Sequence, residues 1–404
     1  MRILQLCHKP PRPSIDGGCL AMDAMTSGFL ENGVDVKVLT AATRKHPILM
    51  DALNPSYLES TDLEAVRIET QLDIRDAYVA LMNGDSYNIS RFYAHHYAMV
   101  VKRTLSRTRY DVVHLESLYT TPYIETIRRH APNALISLRS HNHEYQIWEQ
   151  RWKASQNPIH RLALRHLSKS LERYEKDVLQ NVDVLVSISE NEALGYRDWG
   201  YSGPIHVAGF GIDTSTGRTK FNSNLNRKDG PVRLFHLGAM DWGPNREGVA
   251  WFVDAVWPEL VKRHPGTEFH LAGKSLPPDL HAEVEGIVNH GEVPDADAFA
   301  SQYDMLVVPL LRGAGIRVKI VEALAKGIPV ATTKMGVAGL DLENRDCIIY
   351  GEPEKLCDLI SNTIGNPNSL ETLSQNSRQV AIDRFDRKNI GKELIEFYKG
   401  HVQT

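Results

Sequence analysis

The segment 312–330, RGAGIRVKIVEALAKGIPV, has the residue types and spacing to bind a phosphorylated ligand. An apolar run over 305–311 precedes it and predicts a buried strand. Gly313 and Gly315 predict a tight turn, after which we expect a helix to begin near Ile316. The first turn of a helix offers free backbone N–H groups and the positive end of the helix dipole. Such a turn therefore suits an anion.

Three charged side chains lie on this predicted helix. Arg317 and Lys319 add positive charge where a diphosphate would sit, and Glu322 follows Lys319 at a spacing that makes them neighbours on the helix surface. A carboxylate beside a phosphate site suits the two hydroxyls of a ribose. The segment is therefore typical of a site for a nucleotide diphosphate. An ordinary strand, turn and amphipathic helix would show the same pattern, and the residues alone favour neither interpretation.

Composition limits the class of protein. The 404 residues are enough for two or three domains, and 42% hydrophobic with 24% charged residues is usual for a globular protein. The formal net charge of −4 argues against general binding of nucleic acid. Four scattered cysteines fit neither a disulfide framework nor a zinc site, and we expect no bound metal. With no signal peptide or membrane span in the sequence, we expect a cytoplasmic protein.

Strands alternate with helices in both halves of the chain, which predicts parallel sheets. In the first half we expect strands over 2–7, 34–40, 65–69, 111–115, 134–138 and 182–188, and helices over 19–32, 89–106 and 158–181. In the second half we expect strands over 232–237, 268–272, 287–288, 304–309, 328–332 and 347–350, and helices over 247–264, 353–365 and 369–385. The fold class is therefore α/β with two Rossmann-like domains, 1–208 and 209–385, joined by a polar linker over 209–229.

Glycine turns follow three of the predicted strands, at Gly17 and Gly18, at Gly238, and at 313–315. In open parallel sheets, ligands bind outside the carboxyl ends of the strands. If two such domains face each other, these turns would gather at one cleft.

Six sequence blocks stand in an order typical of one enzyme family. They are the glycine pair 17–18, the pair His141–Asn142, FHLGAMDWGPNREGVAWF, FHLAG, HGEV and GIRVKIVEALAKGIPVATT. Through these blocks the chain resembles the retaining GT-B glycosyltransferases, specifically the family called glycosyl transferases group 1. The resemblance implies two facing Rossmann-like domains. It also implies a C-terminal helix over 386–404 that crosses back to the first domain.

The resemblance implies a role for each matching residue. The residues that would bind the donor are Gly17, Gly18, Gly238, Asn245, Gly315, Ile316, Arg317, Lys319 and Glu322. Arg317 and Lys319 would stabilise the departing diphosphate, and His141 would lie beside the sugar, so these three are the expected catalytic residues. Asn142 and Glu144 would face the acceptor. On the residues alone, His141 also fits a capping or core histidine, and the glycine pair fits an ordinary loop.

One position departs from the family pattern. Many members carry a glutamate, eight residues before the ribose-binding one, that contacts the donor sugar, and here that position is Ala314. The resemblance therefore does not identify which sugar is transferred. Backbone N–H groups of Gly315 and Ile316 could take over the contact.

The resemblance implies transfer of a sugar from a UDP- or GDP-sugar to a hydroxyl acceptor, with retention of anomeric configuration. The setting that it implies is bacterial surface polysaccharide or glycolipid assembly, with a glycan or lipid-linked acceptor. Basic series over 91–109 and 151–173 could contact the inner face of the membrane, but solvated helix faces explain them as well. The alternatives are a non-catalytic nucleotide-sugar-binding protein and a sugar-nucleotide epimerase or hydrolase.

Overall fold

The chain divides into two units, each built on one parallel sheet. The computed structural model describes residues 1–71, 86–215, 232–281, 283–313 and 315–402. The first unit contains Met1–Gly211 and Arg387–Thr404, and the second contains Ile212–Asp386. Residues 216–229 of the predicted linker lie outside the described residues.

Within the described residues, seven parallel strands form the sheet of the first unit. In chain order they are β1 (Arg2–Cys7), β2 (Asp35–Ala42), β3 (Glu64–Arg67), β4 (Val112–Glu116), β5 (Leu135–Ser140), β6 (Val184–Ser187) and β7 (Ile205–Val207). Their order across the sheet is β3-β2-β1-β4-β5-β6-β7. The register pairs Cys7 with Glu116, and Glu116 with Arg139, so the carboxyl ends of the three central strands lie side by side. The sequence pattern did not predict β7.

Helices connect these strands. They are α1 (Gly17–Glu31), α2 (Pro55–Thr61), α3 (Tyr87–Ser90), α4 (His95–Arg107), α5 (Ile124–His130), α6 (Glu144–Ala154), α7 (Pro158–Val178) and α8 (Glu190–Asp198). The prediction of a single helix over 89–106 is wrong, because α3 and α4 are separate helices. The hydroxyl of Tyr123 accepts from the backbone N–H of Ala94 at 3.0 Å and donates to the carbonyl oxygen of Phe92 at 2.7 Å. This tertiary contact stabilises the extended backbone at the break.

The described part of the second unit likewise forms one sheet, with six parallel strands. They are β8 (Arg233–Leu237), β9 (Glu268–Ala272), β10 (Ile287–Asn289), β11 (Met305–Val308), β12 (Val330–Thr332) and β13 (Ile348–Ile349), in the order β10-β9-β8-β11-β12-β13. The helices are α9 (Gly243–Ala255), α10 (Trp257–Arg263), α11 (Ala296–Ala300), α12 (Val318–Ala325), α13 (Pro353–Ile364) and α14 (Pro367–Phe385).

The helix predicted over 247–264 is also two helices in the structure, α9 and α10. Proline lies in the first turn of each, Pro244 in α9 and Pro258 in α10. A proline has no N–H to donate and its ring clashes with the preceding turn, so Pro258 ends one helix and begins the next. The earlier start of α9 places Asn245 in its first turn, beside the end of β8.

The last helix, α15 (Arg387–Lys399), packs on α1 of the first unit, as predicted. Glycines face each other where the two helices meet. A Cβ on Gly28 would lie 2.4 Å from the carbonyl oxygen of Arg387, and a Cβ on Gly391 would lie 2.6 Å from the carbonyl carbon of Gly28. Larger residues would force the helices apart. From α15, the buried hydroxyl of Tyr398 contacts Nδ1 of His114 at 2.7 Å.

Candidate functional site

In the second unit, the loop between β8 and α9 brings two predicted donor residues together. Gly238 follows the last residue of β8, and Asn245 is buried in the first turn of α9. The Asn245 side-chain amide donates to the carbonyl oxygen of Ala239 at 2.8 Å, which fixes the loop. Asn245 Oδ1 therefore has a defined position beside the carboxyl end of the sheet.

Lys319 extends from α12 to the same place. Its Nζ lies 3.3 Å from Oδ1 of Asn245. A Cβ on Gly238 would lie 2.5 Å from this Nζ and 3.0 Å from Nε2 of the buried His236, so a larger residue at 238 would disturb the lysine. The structure thus brings Lys319 to Gly238 and Asn245, although Lys319 lies 74 residues after Asn245 in the chain.

The electrostatics of Lys319 suit an anionic ligand. Burial and the nearby charge of Arg317 lower the pKa of Lys319 to about 8, and Glu322 offsets only part of this effect. Burial also raises the pKa of the half-buried Glu322 carboxyl. Because burial disfavours the charge of Lys319 while no ligand is bound, the binding of an anion such as a phosphate stabilises the ammonium.

Arg317 is held in place at the N-terminus of α12. It is 7% exposed, its Nη1 donates to the carbonyl oxygen of Gly315 at 2.8 Å, and its guanidinium lies 5.5 Å from the ring centre of Trp242. Gly315 has φ +81°, a left-handed conformation that favours glycine. The helix begins at Val318 rather than near Ile316, so Ile316 belongs to the loop. Ala314 lies outside the described residues.

In the first unit, His141 follows β5 directly. Its Nε2 lies 2.8 Å from Oε2 of Glu116 at the end of the neighbouring β4. A carboxylate only accepts, so Nε2 carries the proton and Nδ1 is the basic nitrogen. Burial lowers the pKa of His141, and the hydrogen bond to Glu116 opposes this effect without reversing it. His141 is therefore neutral at pH 7 and has one fixed tautomer.

Glu116 is the centre of a buried polar network that the sequence did not reveal. Burial alone would raise its pKa, but the charge of Arg139 and hydrogen bonds from His114 and His141 outweigh burial and hold the pKa well below its usual range. Gln5 also donates to Glu116 Oε1, at 3.0 Å. An acidic residue at the end of the apolar run DVVHL was the available signal.

Gly17 and Gly18 form the first turn of α1, where Asp16 caps the helix by accepting from the N–H of Cys19 at 2.9 Å. Lys9 Nζ lies 2.7 Å from both carboxylate oxygens of Asp16. A Cβ on Gly18 would lie 2.8 Å from this Nζ, so glycine leaves room for the lysine. Lys9 is a second residue that the sequence did not single out.

The two predicted acceptor-side residues follow β5, with Asn142 in the loop and Glu144 at the start of α6. Glu144 begins α6, and its Oε2 accepts from the hydroxyl of Tyr119 at 2.9 Å. Burial raises the pKa of Glu144. The carbonyl oxygen of Asn142 accepts from Ser140 Oγ at 3.0 Å, which shapes the turn that carries His141.

The predicted site residues therefore form two groups, one in each unit. The first-unit group is Gly17, Gly18, His141, Asn142 and Glu144, and the second-unit group is Gly238, Asn245, Gly315, Ile316, Arg317, Lys319 and Glu322. Among the described residues, no group of three or more His, Cys, Asp or Glu side chains could hold a metal ion. In the same part of the chain, no helix is both long and apolar enough to cross a membrane.

Comparison with known proteins agrees with the geometry of the second unit. Residues 231–366 match the model of the family described as glycosyl transferases group 1. Over 300 residues, the chain is 22% identical to an uncharacterized 44.6 kDa protein in the cps region of Klebsiella pneumoniae, covering 71% of this chain and 74% of that protein.

Solved structures show the fold of the whole chain. Sucrose-phosphate synthase from Thermosynechococcus elongatus is 17% identical, with a TM-score of 0.66 over 99% of each chain. HepE from Anabaena, in complex with UDP, is 16% identical, with a TM-score of 0.66 over 99% of this chain and 100% of that one. Residues 231–366 therefore resemble the glycosyl transferases group 1 family, and the chain has the GT-B fold of two Rossmann-like units.

Proposed function

We propose that the protein is a retaining glycosyltransferase that moves a sugar from a nucleotide-diphosphate donor to a hydroxyl of an acceptor. One observation carries the proposal. In the unit that matches the family, the Lys319 ammonium lies against Gly238 and Asn245 at the carboxyl end of a parallel sheet. This is the place where open α/β sheets bind phosphorylated ligands.

Each donor-side residue has a proposed task. Lys319 and Arg317, with the backbone N–H groups at the start of α12, bind the diphosphate, and Glu322 accepts from the ribose hydroxyls. Gly238 and Gly315 keep the backbone open to the ligand. HepE from Anabaena was solved with UDP and with UDP-glucose, which supports a UDP-sugar as the donor here.

In the proposed reaction, the bond between the anomeric carbon and the diphosphate oxygen breaks while the acceptor oxygen bonds to the same face of that carbon. The acceptor proton passes to the departing phosphate oxygen, so no protein base is required. Lys319 and Arg317 stabilise the negative charge that develops on the diphosphate, and electrostatic stabilisation of this kind is usually the largest single catalytic contribution. The neutral His141, held by Glu116, positions the sugar.

We propose that the reaction takes place in the assembly of bacterial surface polysaccharide or glycolipid, and that the acceptor is a molecule used in that assembly. The Klebsiella pneumoniae relative in the cps region supports that setting.

The test begins with thermal-shift measurements with UDP, GDP, ADP and CMP on wild type and on Glu322→Ala. A ligand at 100 times its Kd stabilises the folded protein by about 2.7 kcal/mol. We expect UDP to raise the Tm of wild type, and we expect Glu322→Ala to reduce that rise. The matched control is Glu354→Ala, an exposed residue in the first turn of α13 that should respond like wild type.

Product analysis then separates the possible activities. Wild type with UDP-sugar and a hydroxyl acceptor should give a glycosylated product, and Lys319→Ala should lose most of this activity while remaining folded. Free sugar or an epimer formed without acceptor would instead indicate a hydrolase or epimerase. Nucleotide binding without turnover on any acceptor would indicate a non-catalytic binding protein. Wild-type rates in a folded Lys319→Ala would refute the site.

A further inference from the structure

Trp242 is a large aromatic residue that the fold leaves partly exposed beside a predicted donor residue. It lies in the loop after β8, immediately before α9, and is 39% exposed. The guanidinium of Arg317 lies 5.5 Å from the centre of its ring. A cation within about 6 Å of a ring face is attracted by the negative face of the aromatic system. Trp242 therefore contacts Arg317 in a geometry that stabilises the guanidinium.

Gly313 leaves space for this contact. A Cβ at position 313 would lie 2.8 Å from Nη2 of Arg317 and 3.3 Å from Cη2 of Trp242. A larger residue would therefore push the guanidinium or the ring away from its present position. The loop after β8 and the loop after β11 thus meet in one contact, for which glycine provides the room.

The loop after β11 is also held on α9 by contacts that do not involve Trp242. A Cβ on Gly248 would lie 2.2 Å from the carbonyl oxygen of Pro309, so the helix packs directly on the loop backbone. Two hydrogen bonds of 2.6 Å join Arg312 to the exposed carboxylate of Glu247. Loss of the Trp242 ring should therefore release the Arg317 side chain without releasing the loop that carries it.

The charges around Arg317 explain why an aromatic partner suits this position. Burial lowers the pKa of Arg317, and the charge of Arg317 contributes to the lowered pKa of Lys319, so each cation disfavours the other. An aromatic face attracts a guanidinium but has no net negative charge. A carboxylate at position 242 would compete with a phosphate for the guanidinium, whereas the indole ring does not.

We propose that Trp242 is a positioning residue, whose ring holds the Arg317 guanidinium where it binds the diphosphate of the nucleotide donor. The inference deepens the proposed function and rests on it, because the diphosphate is the ligand of that site. The exposed part of the indole ring then lies beside the bound nucleotide. Nucleotide binding should therefore change the fluorescence of Trp242.

The test is a double-mutant cycle, in which calorimetry measures the affinity for UDP of wild type, Trp242→Leu, Arg317→Gln and the double variant. We expect Trp242→Leu to weaken UDP binding by about three- to tenfold, because the cation–π contact is lost. In the Arg317→Gln background, the same substitution should have almost no effect, because no guanidinium remains to be positioned. Trp242→Phe keeps an aromatic face and should recover most of the affinity.

The matched control is Glu247→Gln, which removes the exposed ion pair with Arg312 from the same helix and loop. Exposed ion pairs contribute little to stability, so this variant should bind UDP like wild type. Inorganic pyrophosphate is the second probe. Trp242→Leu should weaken pyrophosphate by the same factor as UDP, because the contact concerns the phosphates and not the base.

Fluorescence provides a measurement that does not depend on the leucine variant. UDP should change the tryptophan emission of wild type, and most of that change should be absent in Trp242→Phe. An equal change in both proteins would place the ring away from the nucleotide and overturn the inference.

The outcomes separate this inference from the proposed function. If wild type binds neither UDP nor pyrophosphate, both are wrong. If wild type binds UDP, two results of the cycle overturn the inference alone. One is an equal loss of affinity from Trp242→Leu with and without Arg317, which would show that the ring does not act through the guanidinium. The other is a loss in Glu247→Gln as large as that in Trp242→Leu, which would indicate general damage to the loop.

Discussion

Replacing Lys319 by methionine should stabilise the empty protein and abolish nucleotide binding. The pKa of Lys319 falls from its ordinary 10.5 to about 8, because burial and Arg317 disfavour the ammonium. One pKa unit corresponds to about 1.4 kcal/mol, so the charged lysine destabilises the folded protein by at most about 3.5 kcal/mol. Methionine is similar in length and has no charge, so Lys319→Met removes this penalty while filling the same space.

The sign of the pH dependence follows from the same values. Below pH 8 the lysine is protonated in both the folded and the unfolded chain, and the full penalty is present. Between pH 8 and 10.5 the folded protein loses this proton first, so wild type gains stability as pH rises, and Lys319→Met should lack this gain. If a UDP-sugar is the donor, UDP affinity of wild type should fall above pH 8, because the ammonium is lost.

The assay is urea denaturation at pH 7 and at pH 9.5, with UDP binding measured by calorimetry on the same samples. The control is Lys326→Met, at the C-terminus of the same helix, where the lysine pairs with Asp297 at the surface. An exposed ion pair contributes at most about 1 kcal/mol, so the control should lose little stability and bind UDP normally. A Lys319→Met protein that is less stable than wild type at pH 7 and still binds UDP would refute the reasoning.

Two further predictions concern the first unit. Gly28→Ala places a Cβ 2.4 Å from the carbonyl oxygen of Arg387, so α15 must move and the free energy of unfolding should fall by about 1–3 kcal/mol. In the same denaturation experiment, the control Gly400→Ala should change the free energy of unfolding by less than about 0.5 kcal/mol. Glu116→Gln leaves the buried Arg139 without its carboxylate and should lower the free energy of unfolding by about 3–5 kcal/mol; a loss below 1 kcal/mol in urea denaturation would contradict the importance of this ion pair.

The sequence by itself predicted the α/β class and the alternation of strands and helices. Buried parallel strands are short apolar runs, and turns rich in glycine and proline separate them from amphipathic helices, so these local signals are strong. Strand β9 matches its predicted bounds, 268–272. The helix after Gly315 was also predicted, with its start two residues too early.

Local patterns failed where distant residues decide the backbone. The break between α3 and α4 depends on Tyr123, which lies about thirty residues farther along the chain. Strand β7 has only three half-buried residues, and pairing with β6 defines it. Neither feature leaves a strong periodic signal in its own segment.

For the candidate site, the sequence identified the types of residue, and the tertiary structure determined which of these residues lie next to one another. The pattern around 312–330 indicated a phosphate site with Arg317, Lys319 and Glu322. Only the fold brings Lys319 to Asn245, because β8 and β11 are adjacent in the sheet although far apart in the chain. Likewise, the pairing of β4 with β5 places Glu116 beside His141 and fixes the tautomer of that histidine. Charge and polarity are properties of the residue, whereas a depressed pKa or a fixed tautomer arises from burial and contact, which the folded chain alone creates.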